Sequence, residues 1–362
     1  MSVENQGALA DDQRADDQRA DGQWSDDRDY TPLEQESLRQ ATRRYQQGRG
    51  SDLSAEELAR ISARVEELKR EQHAVVLAHY YVPAETQALA DYVGDSFYLA
   101  RLAKTLDCET IVLAGVSFMC ESVKLLSPQR RVLNPEPRAH CPMAYMVRKQ
   151  DVDRIREQYG DDLAVVDYIN STAEIKSWSD VCVTSSNALK VIRELPQHNI
   201  LFIPDMNLGR YVAEQLPDKH VILNRGYCPT HNRIIPAQVE ALELAHPEAE
   251  VCAHPECTRE ILDEADYIGS TKQIIEHIAA SDAHEFIVLT VVGVAAEIAR
   301  QTAGQDKRVY FPATPPICPN MAMVTPDKVL ACLETGAGEV ELPADPEGAM
   351  APLERMLELA AR

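Results

Sequence analysis

Short apolar runs alternate with amphipathic stretches from residue 74 onward, and this pattern predicts an α/β fold. The helical stretches repeat their apolar positions with a period near 3.6, whereas the short runs are apolar at nearly every position. Runs of that kind are typical of strands buried on both faces, as in parallel sheets covered by helices. The runs predicted as strands are Ala74–Ala78, Ile111–Gly115, Leu163–Val166, Ile200–Ile203, Ala249–Ala253 and Phe286–Leu289.

The same pattern occurs three times at nearly constant spacing. His79, Tyr168 and His254 end the first strand of each copy, at intervals of 89 and 86 residues. Hydroxyl residues that precede a helix, Ser96, Ser185 and Thr271, repeat at the same two intervals. We therefore expect three similar three-layer α/β domains with pseudo-threefold symmetry. Because ligands bind beyond the carboxyl ends of parallel strands, the three copies predict one central site.

The repeats divide the chain into six predicted regions. The first 30 residues are acidic, carry the direct repeat DDQRA and have little apolar content, so we expect a disordered tail. Ser54 and Glu57 have the spacing of a capping box at the start of a helix. The predicted regions are the tail 1–30, N-terminal helices 31–72, repeats 73–145, 146–232 and 233–322, and a C-terminal helical segment 323–362.

Composition and charge narrow the class of protein. A net charge of −22 argues against binding of nucleic acid, which needs clustered Lys and Arg. The longest apolar stretch, Phe286–Ala296, is too short to cross a bilayer, and the N-terminal sequence does not resemble a secretory signal. Nine cysteines in such a chain favour reduced thiols over a disulfide framework. We expect a cytoplasmic protein that has no membrane partner and acts on small molecules.

Three cysteines lie at corresponding places near the ends of the repeats. Cys141, Cys228 and Cys318 are 87 and 90 residues apart, and a proline follows each. The absence of C-x-x-C pairs is a poor match to a zinc knuckle, and three equivalent thiolates favour an iron–sulfur cluster. Three ligands would leave one iron open to act as a Lewis acid in a dehydration. Cys257 is less clear, and packing is the expected role of Cys108, Cys120, Cys182, Cys252 and Cys332.

The polar residues of the predicted edge have both an ordinary and a functional interpretation. Ser96, Ser185 and Thr271 could simply cap helices, but their threefold repetition favours a converging anion site. A single histidine usually has a structural role. His79 and His254, however, both end strands at the predicted edge, where imidazoles suit proton transfer.

The ordered motifs of residues 75–333 resemble those of the quinolinate synthase family, the iron–sulfur enzymes of de novo NAD biosynthesis. The motifs include LAHYYVPAETQALADYVGDS at 77–96, YINSTAEIKSWSDVCVTSSNA at 168–188, GYCPTH at 226–231, HPEC at 254–257 and CPNM at 318–321. The resemblance implies three α/β domains and a [4Fe–4S] cluster bound by Cys141, Cys228 and Cys318. It implies catalytic roles for Tyr81, His254 and Glu256. It also implies substrate contacts by His79, Ser96, Tyr168, Ile169, Asn170, Ser185, His254, Pro255, Glu256 and Thr271.

The implied reaction condenses iminosuccinate with dihydroxyacetone phosphate to quinolinate, releasing phosphate and water. The resemblance also suggests a functional link to an aspartate-oxidising enzyme. One departure concerns the segment after the last strand, where the family commonly has Gly-Thr-Glu and this chain has Leu289, Thr290 and Val291. Two alternatives are another iron–sulfur hydro-lyase acting on a small hydroxy acid and a non-catalytic iron–sulfur sensor.

Overall fold

The computed structural model describes residues 39–40, 43–44 and 50–362. The predicted tail 1–30 and most of the first 19 residues of the predicted N-terminal helices, 31–49, lie outside the described residues. Helix α1, Ala55–Glu71, begins at the predicted capping box. The Glu57 amide donates to Ser54 Oγ at 3.2 Å, and the Ser54 amide donates to the Glu57 carboxylate at 2.8 Å.

Repeat 1 is a four-stranded parallel sheet with the order β2-β1-β3-β4. The predicted strands Ala74–Ala78 and Ile111–Gly115 are its two central strands, β1 and β3. Its elements are β1 Ala74–His79, α2 Ala84–Gln87, β2 Tyr92–Gly94, α3 Ser96–Ala103, β3 Thr110–Ala114, α4 Ser117–Leu126 and β4 Arg131–Leu133.

Repeat 2 has the same topology, with the strand order β6-β5-β7-β8. A helix and a short 3₁₀ turn lead into its first strand. Its elements are α5 Lys149–Tyr159, β5 Leu163–Tyr168, α6 Ala173–Lys176, β6 Val181–Val183, α7 Ala188–Arg193, β7 Asn199–Ile203, α8 Met206–Gln215 and β8 His220–Leu223.

Repeat 3 completes the series with the order β10-β9-β11-β12. Two helices of a C-terminal segment follow it. The elements of repeat 3 are α9 Pro236–Ala245, β9 Glu250–Ala253, α10 Arg259–Asp263, β10 Tyr267–Ile268, α11 Thr271–Ala280, β11 Glu285–Leu289, α12 Val294–Gln301, β12 Arg308–Tyr310 and α13 Pro319–Ala322. Those of the segment are α14 Pro326–Thr335 and α15 Pro346–Ala361.

An aspartate of each repeat accepts a hydrogen bond from a backbone amide of the first strand of its sheet. Asp91, Asp180 and Asp266 each stand just before the strand that pairs with one side of the first strand. Their carboxylates accept the amides of Val76, Val165 and Val251, always 15 residues earlier, at 2.8, 2.7 and 2.9 Å. The threefold repetition therefore extends from the chain topology to individual hydrogen bonds.

The structure confirms the α/β class and the three similar parallel sheets. It adds two short outer strands to each sheet, one on either side of the predicted pair. The domain boundaries stay predictions. No helix among the described residues is long and apolar enough to cross a membrane.

Candidate active site

A cavity lies where the first strands of the three sheets end. Its empty space is about 680 Å³, including the open mouth. Every predicted site residue lines it except Pro255, whose proposed backbone contact stays a prediction. The predicted residues that line the cavity are His79, Tyr81, Ser96, Cys141, Tyr168, Ile169, Asn170, Ser185, Cys228, His254, Glu256, Thr271 and Cys318.

Cys141, Cys228 and Cys318 are partly exposed to this cavity. Cys141 and Cys318 each begin a short helical turn whose first residue is a proline. Burial raises the thiol pKa of all three, but amides of the following turn oppose this by hydrogen bonding to the sulfur. Amide donors are what a thiolate needs, so the three residues fit a soft metal group as ligands.

The other six cysteines have different surroundings. They are buried, and none of them lines the cavity. Cys120 Sγ, for example, lies 3.6 Å from the Leu113 carbonyl, and Cys257 Sγ lies 3.3 Å from that of Leu289. These contacts agree with packing roles for Cys120 and Cys257.

His79 and His254 are held in the same way. The Tyr81 amide donates to His79 Nδ1 at 3.1 Å, and the Glu256 amide donates to His254 Nδ1 at 3.2 Å. Because Nδ1 accepts, each ring carries its proton on Nε2. Burial lowers the pKa of both imidazoles to about 3, although Glu256 opposes the shift. Both histidines are therefore neutral hydrogen-bond donors at neutral pH.

Glu256 is the centre of the hydrogen bonds in the cavity. Tyr168 donates its phenol proton to Oε1 at 2.6 Å, and His231 Nδ1 lies 2.7 Å from Oε2. Burial alone would raise the pKa of Glu256, but the neighbouring histidines and these two hydrogen bonds bring it below its usual range. The carboxylate is therefore ionised although it is only 3% exposed.

A chain of hydrogen bonds runs from Glu256 to the opposite wall. His231 Nε2 lies 2.9 Å from Thr290 Oγ1, which lies 2.9 Å from the Tyr81 phenol. Tyr81 in turn lies 2.6 Å from Thr271 Oγ1. When His231 Nδ1–H donates to Glu256 and His231 Nε2 accepts, Thr290 donates to His231 and Tyr81 donates to Thr290. Burial, the largest cause, raises the pKa of Tyr81, so its phenol keeps its proton.

The site residues implied by the resemblance did not include His231 or Thr290. His231 stands three residues after Cys228 in a short 3₁₀ turn, and Thr290 directly follows strand β11. The position of Thr290 at a strand end was the available signal, because that is the edge to which the other site residues belong.

The three hydroxyl residues are not the N-caps of their helices. Asp95 caps α3 and Ser270 caps α11, so Ser96 and Thr271 are the first helical residues. Ser185 lies in the turn before α7, for which Asn187 is the N-cap residue. The simple capping interpretation is therefore wrong for all three, which instead line the cavity.

Cys228, His231 and Glu256 also form a group that could hold a metal ion. One ligand atom from each lies within 4.8 Å of the others. The cavity thus combines candidate metal ligands, neutral donors and one buried carboxylate.

Comparison with known proteins shows which family has this arrangement. The family model described as "Quinolinate synthetase A protein" matches residues 63–358. The chain belongs to the quinolinate synthase family. A quinolinate synthase of Fusobacterium nucleatum is 47% identical over 298 residues, which cover 82% of this chain and 98% of the relative.

Other quinolinate synthases are similar over nearly their whole length. That of Caldicellulosiruptor saccharolyticus is 43% identical over 305 residues, covering 84% of this chain and 100% of the relative. That of Aquifex aeolicus is 41% identical over 315 residues, covering 85% of this chain and 97% of the relative. In this member of the quinolinate synthase family, Val291 lines the cavity at the position of the noted sequence departure.

Proposed function

We propose that this protein condenses iminosuccinate with dihydroxyacetone phosphate to form quinolinate, phosphate and water. The observation that carries the proposal is the common cavity, which joins three thiols, two neutral histidines and a hydrogen-bonded carboxylate. Membership of the quinolinate synthase family supports the same reaction.

Cys141, Cys228 and Cys318 would hold a [4Fe–4S] cluster. Their position in one cavity and the amides directed at their sulfurs support this ligand set. When bound, a cluster with one iron not ligated by protein supplies a Lewis acid that favours loss of a hydroxyl group.

The neutral donors would hold the carboxylates and phosphate of the substrates. His79 and His254 offer Nε2–H groups, because their Nδ1 atoms are already occupied. Ser96 and Ser185 add hydroxyl donors, and Thr271, Tyr168, Ile169 and Asn170 line the wall of the same cavity as further substrate contacts. Fixed neutral donors bind an anion without burying a counter-charge.

Proton transfer would use Tyr81, His254 and Glu256, with His231 and Thr290 as intermediates. A proton taken up from substrate by the Tyr81 oxygen would be balanced along the chain: the Tyr81 proton passes to Thr290, the Thr290 proton to His231 Nε2, and the His231 Nδ1 proton to Glu256. Such a chain lets a proton leave the substrate without bulk water entering the cavity.

The cellular location and the source of one substrate are part of the same proposal. A biosynthetic enzyme with reduced thiols suits the cytoplasm. Iminosuccinate would come from an aspartate-oxidising enzyme.

Anaerobic purification with iron and sulfide counts, followed by a quinolinate assay with both substrates, tests the function. We expect about four irons per chain and quinolinate formation that requires dihydroxyacetone phosphate. A fully loaded protein that dehydrates a hydroxy acid but makes no quinolinate would favour the hydro-lyase alternative, and one without any turnover would favour the sensor.

A further inference from the structure

Lys176 is fully buried beneath the wall of the cavity but does not line it. It ends the short helix α6, eight residues after Tyr168. Lysine is rarely buried without a specific reason, because its ammonium group loses its hydration.

All three protons of the Lys176 ammonium have an acceptor in the loop that carries site residues. Nζ donates to the Ile169 carbonyl at 2.9 Å, to the Ser171 carbonyl at 2.5 Å and to Ser171 Oγ at 3.1 Å. These acceptors lie on either side of Asn170, which lines the cavity as Ile169 does. Lys176 thus fixes the backbone on both sides of a cavity residue.

Repeat 1 holds the corresponding loop with a different residue in the same place. Gln87 precedes Lys176 by 89 residues, the spacing of His79 and Tyr168. Its Nε2 donates to the carbonyls of Tyr80 and Val82, both at 2.9 Å. These carbonyls are the counterparts of Ile169 and Ser171, so the two repeats share one arrangement of donor and acceptors.

Repeat 3 lacks this donor. The corresponding position, 86 residues after Lys176, is Leu262. There the counterpart of Ile169 is Pro255, whose ring restricts the loop directly. A buried donor therefore occurs in the two repeats whose loop has no proline at this place.

The Lys176 ammonium is linked to a buried carboxylate through the Ser171 hydroxyl, which lies 3.1 Å from Nζ. Asp167, fully buried at the end of β5, accepts from Ser171 Oγ at 2.5 Å. The corresponding residue of repeat 1 is Ala78, which suits a neutral Gln87. Repeat 2 therefore holds its loop with a charged donor, Lys176, and a nearby carboxylate, Asp167. Repeat 1 holds the corresponding loop with a neutral donor, Gln87, and has no carboxylate at this place.

We propose that Lys176 is a positioning residue, whose donation to the Ile169 and Ser171 carbonyls sets the Tyr168–Asn170 wall for substrate. The inference rests on the proposed function, in which this wall contacts substrate. What matters in it is the donor and not the charge, because Gln87 performs the same task without one. A displacement of the wall by about 1 Å is enough to reduce productive binding by a large factor.

Two matched double variants test this. Lys176→Gln with Asp167→Ala gives repeat 2 the pair that repeat 1 has, and keeps the donor. Lys176→Met with Asp167→Ala has the same charge but no donor. The measurements are the Kd for quinolinate on anaerobically reconstituted protein, KM and kcat, and the iron content.

We expect the Gln variant to stay within about threefold of wild type. The Met variant should bind quinolinate at least about tenfold more weakly and raise KM alike, with a smaller change in kcat and full iron content. Equal Kd values for the two variants, whether wild-type or weakened, would overturn the proposal.

Measurements on the wild-type protein distinguish failure of this inference from failure of the proposed function. Loaded wild-type protein that makes no quinolinate refutes the function, whereas an active wild type with equal double variants refutes only the role of Lys176. If the Met variant does not fold, Lys176→Leu with Asp167→Ala, using the residue of repeat 3, replaces it. Failure of both to fold beside a folded Gln variant would make Lys176 a stability residue and overturn the proposal.

Discussion

Repeats 1 and 2 share one large hydrophobic core, in addition to a smaller cluster within repeat 2, whereas the strands of repeat 3 pack into two other clusters. Val76 of β1, Val166 of β5 and Leu353 of helix α15 all belong to the shared core. In repeat 3, Phe286 packs into one cluster and Ile287 into another, on the two faces of its own sheet. Continuous apolar burial therefore joins the first two repeats to the C-terminal segment.

Repeat 3 meets the other two through polar contacts, several of them at the cavity, and through apolar contacts of Val93 and Tyr211 with its core clusters. Tyr81 contacts Thr271 and Thr290, Tyr168 donates to Glu256, and Gln87 Nε2 donates to the Gly293 carbonyl at 3.1 Å. Tyr80 adds an apolar contact to one of the clusters of repeat 3. The comparison shows that the contacts of the site also position a domain, so ligand binding should stabilise that domain.

Removing a proposed cluster ligand from repeat 3 should have the largest effect. We expect Cys318→Ser to abolish both the cluster and quinolinate formation, because two thiolates remain. Cys332→Ser is the matched control, since Cys332 is buried in α14 with its sulfur 3.1 Å from the Ala337 carbonyl. Iron and sulfide counts with an activity assay measure the outcome. A full cluster in Cys318→Ser would refute the ligand assignment.

Glu256→Gln removes the charge through which repeat 3 engages the other repeats. Gln can still accept from Tyr168, but it cannot serve as the final proton acceptor. We expect kcat to fall by about 10²–10⁴-fold, as for loss of a general acid or base, with the cluster intact. Steady-state kinetics beside iron counts measure this. A variant with wild-type kcat would exclude Glu256 from proton transfer.

The central strands and the site edge could be predicted from sequence because both depend on local pattern. Each of the six predicted strands is a central strand, where burial on both faces produces a continuous apolar run. The outer strands were missed because they are as short as Tyr267–Ile268 and carry no such pattern. The contact of His231 with Thr290 joins residues 59 positions apart. No periodicity in one sequence reveals a contact of that kind.

Gln87→Ala should increase amide hydrogen exchange in repeat 3 more than in the shared core of repeats 1 and 2. The change leaves the buried carbonyls of Tyr80, Val82 and Gly293 without their donor, at a cost of about 2 kcal/mol. Hydrogen exchange should rise most in β11 and α12. Gln238→Ala, which removes an exposed contact with Thr314, is the control and should change stability by less than about 0.5 kcal/mol. Uniform exchange across all repeats would contradict the comparison.

The ion pair between Glu136 and Lys328 should make the smallest contribution to the free energy of unfolding. This contribution should be present at neutral pH and lost at acidic pH. Glu136 is 3% exposed and accepts from Lys328 Nζ at 2.6 Å. Burial raises the pKa of Glu136, but hydrogen bonds from Arg138 and Lys328 outweigh it and lower the pKa from 4.5 to about 2. A lowered pKa stabilises the fold above pH 4.5, and this contribution disappears as the pH falls towards 2.

We therefore expect Glu136→Gln to cost about 1–2 kcal/mol at pH 7, since Arg138 and Lys328 are partly exposed, and much less near pH 3. Urea unfolding at both pH values measures the difference. Glu339→Gln, which breaks an exposed pair with Arg131, should cost less than about 1 kcal/mol at either pH. An equal loss in Glu136→Gln at both pH values would show that the pair acts through packing alone.

The hydrogen bonds accepted by the carboxylates of Asp91, Asp180 and Asp266 bear on the order in which parts of the protein fold during synthesis. Each joins positions only 15 residues apart, so each sheet can begin to close soon after its own segment leaves the ribosome. The three cavity thiols, in contrast, are spread from residue 141 to residue 318 of a 362-residue chain. The proposed cluster, held by all three, would be inserted only after the chain has been made as far as residue 318. With the proposed cluster, maturation would separate in time into early folding of the sheets and later delivery of iron and sulfide.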